Sequence, residues 1–275
     1  MNRQARRAAV AWRRATRYRV QGRYAAADIE FRRAFRQIVS AFGPRAAGVG
    51  VVLNDWAVLC KYDGRFAQAA RMYRRALALT IAVRGAEHPD VATILHNLGG
   101  LEHARGRNAR ALPFARKGLA LRTRLLGADH PDVAADCAAL AAILQGLARR
   151  RAAERLYVRA LAIFRRVHGR EHYDIAVALN NLGALYQARG QHALALRHYR
   201  RALAMKTRLL GPEHVDVGVT LNNLATLQRR CGKFKAATRS YERALEIFER
   251  CLSPRHPTLV RCRANYEGLA ASGRE

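Results

Sequence analysis

The chain has 275 residues, and its fifty Lys and Arg against twenty Asp and Glu give a formal net charge of +30. Half of the residues are apolar, enough for a continuous core, but no run of eighteen uncharged apolar residues occurs, so no membrane span is indicated. Five cysteines, odd in number and without a C-x-x-C pair, point to reduced thiols and a cytoplasmic protein rather than a disulfide framework.

The N-terminal stretch MNRQARRAAVAWRRATRYRV is basic but lacks the apolar region and small-residue cleavage site of a secretory signal. It is read as a first helix, because Gly22 falls in a column of turn glycines. Shifting the sequence by 42 superposes His88, His130, His172, His214 and His256. The same shift aligns Gly43, Gly85, Gly127, Gly169 and Gly211, and also Gly22, Gly64, Gly106, Gly190 and Gly232. Constant spacing in independent columns is the signature of a repeat array.

Each copy splits into two helical patterns. In the copy Arg170–Gly211, Leu179, Leu182, Gly183 and Tyr186 fall on one helical face, and Gly190 ends that helix where a left-handed residue turns cheaply. A second helix follows through Ala195, Tyr199, Ala202 and Met205. The layout predicts first helices over roughly 5–21, 48–63, 89–105, 131–147, 173–189, 215–231 and 257–271, and second helices over 23–42, 65–84, 107–126, 149–168, 191–210 and 233–252. Asp174 reads as an N-cap, and Pro89 and Pro131 suit a helix entry. The expectation is an all-α, right-handed α-α superhelix forming one solenoid over 1–275, with units 5–42, 48–84, 89–126, 131–168, 173–210 and 215–252. Helix 257–271 would cap it by covering the last apolar face. The copy at 131–170 is the most degenerate, since Ala148 replaces its turn glycine beside Arg149, Arg150 and Arg151.

The pattern Leu-Gly-x-x-Tyr, Gly, Ala-x3-Tyr-x2-Ala resembles the tetratricopeptide repeat. The segments Gly85–Val91, Gly127–Val133, Leu179–Leu182 and Leu221–Leu224 narrow the resemblance to the 42-residue repeats of kinesin light chains and their bacterial relatives. The N-terminus departs from that family in having no heptad coiled coil for a motor heavy chain. What the resemblance implies is a protein-binding groove lined by the first helices, in which asparagines hold peptide main chain and basic neighbours favour acidic cargo.

On a helical wheel the first-helix face opposite the core holds Val177, Asn181, Ala184 and Ala188, flanked by Asn180 and Gln187. The Asn181 column reads Asp55, Asn97, Ala139, Asn181, Asn223, Asn265; the adjacent one reads Asn54, His96, Ala138, Asn180, Asn222, Ala264. Asparagine costs a helix interior roughly 0.6 kcal/mol against alanine, so its recurrence asks for a reason. Two remain open: a ladder of carboxamides between repeats, or a set of donors and acceptors for the backbone of an extended peptide. The next column (Val58, Gly100, Ala142, Ala184, Thr226) is small, either for close helix approach or as room for a ligand side chain.

Eight of the twenty acids sit in the inter-repeat turns (Glu87, Asp90, Asp129, Asp132, Glu171, Asp174, Glu213, Asp216), where they are expected to cap helices along one edge. The groove face is poor in acids but holds Lys61, Arg229, Arg230 and Arg261, the expected contacts for carboxylates of an acidic partner. No metal or cofactor is expected: the histidines of the His88 column stand a repeat apart, too far to share an ion, and His96 with His103 reads as groove surface. No nucleophile stands out from the repeat, so no enzyme is expected. The alternative partner is nucleic acid, for which an isoelectric point near 11.4 is the electrostatic footprint. Against it, the aromatic column Phe31, Tyr73, Tyr157, Tyr199, Tyr241 falls in the core by helical phase, where bases cannot stack on it. The paired arginines beside it (Arg32–Arg33, Arg74–Arg75, Arg200–Arg201) read as a solvated stripe.

Overall fold

A computed structural model describes residues 3–272. Among them lie thirteen α-helices and no strand: α1 (Arg3–Val20), α2 (Tyr24–Phe42), α3 (Ala47–Tyr62), α4 (Phe66–Arg84), α5 (Pro89–Ala104), α6 (Asn108–Leu126), α7 (Pro131–Gly146), α8 (Arg150–His168), α9 (Tyr173–Ala188), α10 (His192–Leu210), α11 (Val215–Arg230), α12 (Phe234–Cys251) and α13 (Pro257–Ser272). The chain forms two compact units, Met1–Ala128 and Asp129–Glu275. Within each, odd-numbered and following even-numbered helices pair as antiparallel hairpins, and consecutive odd-numbered helices touch one another. In the second unit α13 packs on α11 and α12 and buries Leu259, Cys262 and Leu269.

The turn inside each hairpin explains the first glycine column. After α9 the Gln191 amide reaches back to the Tyr186 carbonyl at 2.9 Å, and Gly190 takes φ +74. A left-handed residue lets the chain close that bond and satisfy the last carbonyls of the helix. The same bond joins Arg149 to Leu144 at 2.9 Å, but here Ala148 adopts φ +59, the one non-glycine with positive φ among the described residues.

The aromatic column is the core. Phe31, Tyr73, Tyr157, Tyr199 and Tyr241 are each at most 1% exposed, and Tyr199 lies so close to Gly183 that a β-carbon there would meet its ring at 2.7 Å. Tyr186, expected in the core, is only half-buried; its hydroxyl donates to Glu154 at 3.2 Å.

The helix entries differ from the expected caps. Asp174 is not the N-cap: His172 is, and its Nδ1 accepts from the Asp174 amide at 3.3 Å. His88, His130 and His214 do the same for Asp90, Asp132 and Asp216, and His256 for Thr258, each at 3.1 Å. An unprotonated imidazole nitrogen thus does what a Ser or Asp oxygen does elsewhere, and the aspartates two residues later meet the positive end of the helix dipole. The other turn acids do not cap either. Glu87, Asp129, Glu171 and Glu213 pair with Arg124, Arg166, Arg208 and Arg250 in the last turn of the following even-numbered helix.

Candidate functional site

The asparagine columns form a ladder between successive odd-numbered helices. Asn97 Nδ2 donates to Asn54 Oδ1 at 2.9 Å, Asn223 to Asn180 at 3.3 Å, and Asn265 to Asn222 at 3.4 Å. The acceptors Asn54, Asn180 and Asn222 are 6–9% exposed; Asn180, expected beside the groove, is instead buried under the next repeat. The donors Asn97, Asn223 and Asn265 are half-buried. A rung of opposite polarity opens the first unit. There Trp12, which can only donate, stands in the acceptor column and gives its Nε1–H to Asp55 Oδ2 at 2.7 Å. Asp55, which when ionised can only accept, stands in the donor column, and burial pushes its carboxyl up from the usual carboxylate range. The exchange of donor and acceptor keeps the rung satisfied.

Two rungs are missing: Ala139, in the donor column, has nothing to donate, and the second is lost at Ala138. Asn181 should donate to position 138, but Ala138 has no side-chain acceptor. Among the described residues Asn181 therefore has no side-chain partner, and it is half-buried on α9. Its two donors and its acceptor are left for something else.

Two of the expected cations share one geometry. Lys61 and Arg229 occupy the same repeat position, and each lies over a glycine of the next odd-numbered helix. A β-carbon on Gly100 would sit 3.4 Å from Lys61 Nζ, and one on Gly268 would sit 3.2 Å from Arg229 Nη1. The copies without a long cation carry His103, Gln145 and Gln187 at that position, and the residue 39 further on is Ala142, Ala184 or Thr226 rather than glycine. The small column is thus small where a cation needs its space. Lys61 has no carboxylate in salt-bridge reach among the described residues, and burial holds its ammonium below the ordinary lysine value. Gln187 is engaged within its own hairpin, accepting from Tyr199 Oη at 3.0 Å. Arg230 and Arg261 are exposed, and no side-chain hydrogen bond or ion pair among the described residues joins them to the ladder.

Burial pushes the thiols of Cys60, Cys137, Cys251 and Cys262 up, the opposite of what a nucleophilic cysteine requires. The buried aromatic column offers no stacking platform for bases. No helix among the described residues is long and apolar enough to cross a membrane.

Stacked helical hairpins of this period, with a tyrosine of one helix on a glycine of the other, define a tetratricopeptide repeat array. The chain belongs to that family: its model matches residues 6–82, 49–124, 90–166, 134–208 and 174–250. Repeats of this kind generally mediate protein–protein interaction. The 42-residue units are of the kinesin light chain-like type. The crystal structure of BtubC (BKLC) from P. vanneervenii is 25% identical, with 90% of this chain and 91% of that one covered and a TM-score of 0.58. A Podospora anserina putative kinesin light chain with nearly identical TPR-like repeats is 22% identical over 74% of this chain and 96% of its own, at a TM-score of 0.53. A Rap protein complexed with Competence and Sporulation Factor shares the fold at 14% identity and a TM-score of 0.61, covering 89% of this chain and 77% of that one. No curated protein sequence matches.

Proposed function

We propose that the chain is a non-catalytic scaffold that holds an extended, acidic segment of a partner protein along the face of its odd-numbered helices. The observation that carries this reading is Asn181. The ladder explains every other paired asparagine as structure, whereas Asn181 keeps a full set of donors and an acceptor half-buried on that face, matched to the C=O and N–H of a peptide main chain. A polar group in that setting gains from a partner that completes its hydrogen bonds.

Charge sets the chemistry of the partner. Arg229 lies over Gly268 in the same unit as Asn181, Asn223 and Asn265, with Arg230 and Arg261 exposed nearby in sequence on α11 and α13. A guanidinium can hold a carboxylate by two parallel hydrogen bonds. In the first unit Lys61, over Gly100, offers a cation in the same position. Five of the turn acids (Glu87, Asp90, Asp129, Glu171 and Glu213) pair with arginines other than Arg229, Arg230 and Arg261, and Asp132, Asp174 and Asp216 lie by the capping histidines.

The test is capture of partners from a lysate by wild type, Asn181→Ala and Arg229→Gln, read by quantitative mass spectrometry. Asn181→Ala removes no rung of the ladder, so its fold is retained. The most enriched partner, taken as a synthetic acidic segment, should bind Asn181→Ala at least about tenfold more weakly, from roughly 1.5 kcal/mol of lost hydrogen bonding. Equal recovery and equal affinity for all three proteins would defeat the groove reading. Labelled RNA titrated at two salt concentrations covers the rival: tight binding that survives physiological salt would favour nucleic acid.

A further inference from the structure

Position 168 breaks the repeat. The equivalent residues are Phe42, Arg84, Leu126, Leu210 and Leu252, but here the last residue of α8 is histidine. Its ring stacks on that of His172, the N-cap of α9, with centroids 3.8 Å apart and planes at 15°. Phe164, one turn back, lies nearly parallel to it at 6.2 Å. Nε2 of His168 is buried and has no hydrogen-bond partner. An orphaned buried ring nitrogen is uncommon enough to need a reason.

Asp174 supplies one. Its carboxylate lies 3.9 Å from His168 Nε2 and 3.4 Å from His172 Nδ1, and the donor atoms of the three residues all lie within 4.8 Å of one another. His172 departs from its own column as well. It takes φ −155 where His88, His130 and His214 take −87, −70 and −76. Its cap bond is 3.3 Å where theirs are 3.1 Å. The backbone has shifted and the cap has loosened at the one copy that carries the extra imidazole.

We propose that His168, His172 and Asp174 bind one borderline divalent metal ion of the Zn²⁺ type. Two imidazoles and a carboxylate are donors this class accepts, and bonds of about 2.0–2.1 Å in a tetrahedron set ligand atoms about 3.3 Å apart. The 3.4 Å edge already has that length. The 3.9 Å edge closes by about half an ångström if the His168 ring tilts out of its parallel stack, which also turns the two in-plane lone pairs toward a common point. His172 exchanges its loosened cap bond for the metal bond. Asp174 is needed for charge as much as for coordination, since Arg165, Arg166 and Arg170 flank the site in sequence and oppose a dication. Three protein ligands leave a fourth position for water or for a donor from a partner. The ion would tie the end of α8 to the start of α9.

The experiment uses the tag-free, metal-free full chain. Co²⁺ is titrated with visible absorption as the readout of coordination, and Zn²⁺ is titrated by calorimetry and by displacement of Co²⁺. His168→Leu restores the residue of Leu126, Leu210 and Leu252, so that variant folds; circular dichroism verifies it. Wild type should take up one ion per chain with the intense absorption of a low-coordinate site and melt at a higher temperature with Zn²⁺. His168→Leu should lose both effects, and Asp174→Asn should bind at least about tenfold more weakly. Absence of saturable uptake by wild type, or equal uptake by His168→Leu, would overturn the assignment.

Discussion

Replacing Ala148 by glycine should stabilise the protein. Five copies of this turn carry glycine at φ +70 to +74, and the sixth carries Ala148 at φ +59 with the same Arg149-to-Leu144 bond. A β-carbon built on Gly22, Gly64, Gly106, Gly190 or Gly232 meets nothing within 4 Å, so packing does not enter and the comparison isolates the backbone. An L-residue in the left-handed region is disfavoured by roughly 1–2 kcal/mol. Glycine relieves that, but the unfolded chain gains back roughly 0.4–1 kcal/mol of conformational freedom. The net is a stabilisation of about 1 kcal/mol, and Gly190→Ala should lose a similar amount. Urea titration at 25 °C reads it as a higher midpoint at unchanged slope. Because units of a repeat array are stabilised mainly by their neighbours, hydrogen exchange should slow first in α7 and α8. A midpoint unchanged or lowered in Ala148→Gly, or a neutral Gly190→Ala, would show that the turn stores no strain.

Two further outcomes follow from buried and capping groups. Tyr73, Tyr157 and Tyr199 are buried with their hydroxyls held far above the ordinary tyrosine value of 10.0, mainly by desolvation. Cys60 and Cys262 are pushed from 9.0 up to about 11 for the same reason. The unfolded chain releases these protons first, so the stability they confer is complete below pH 9 and falls by roughly 1.4 kcal/mol per pH unit and group above it. Lys61 and Lys206, depressed below 10.5 by burial, act in the opposite sense below that pH. The loss steepens above pH 10 as the three tyrosines join, and Tyr157→Phe should flatten it; a urea midpoint constant from pH 9 to 12 would contradict the burial of these groups. His214→Ala should cost about 1 kcal/mol by leaving the Asp216 amide without its acceptor, and His214→Asn should recover most of it; equal stability of both variants with wild type would show that the imidazole is no cap.

The period made the fold legible, because glycine, tyrosine and leucine recur where a turn, a packed ring and a helix face require them. It made the site legible only in part. The histidine column is visible as a column, but imidazole is not among the usual capping side chains, so sequence alone points to Asp174, two residues on, as the cap. The asparagines were visible too, yet whether a carboxamide bonds its neighbour or a ligand depends on the register between adjacent helices, which one repeat does not disclose. That register puts position i+43 of one copy on position i of the last, as in Asn97 on Asn54. Once it is known, the informative positions are those where the rule fails. Trp12 and Asp55 exchange donor for acceptor, and the rung is satisfied all the same. Ala138 removes the acceptor and leaves Asn181 unpaired. His168 replaces leucine and brings a third donor to His172 and Asp174. Repetition conceals such residues, because a column is read by its majority, and a binding function needs only one copy to differ. The copy at 131–168 looked degenerate as a repeat. Its departures are what give the helix that follows it, α9, an unpaired carboxamide on one face and a metal-ligating triad at its entry.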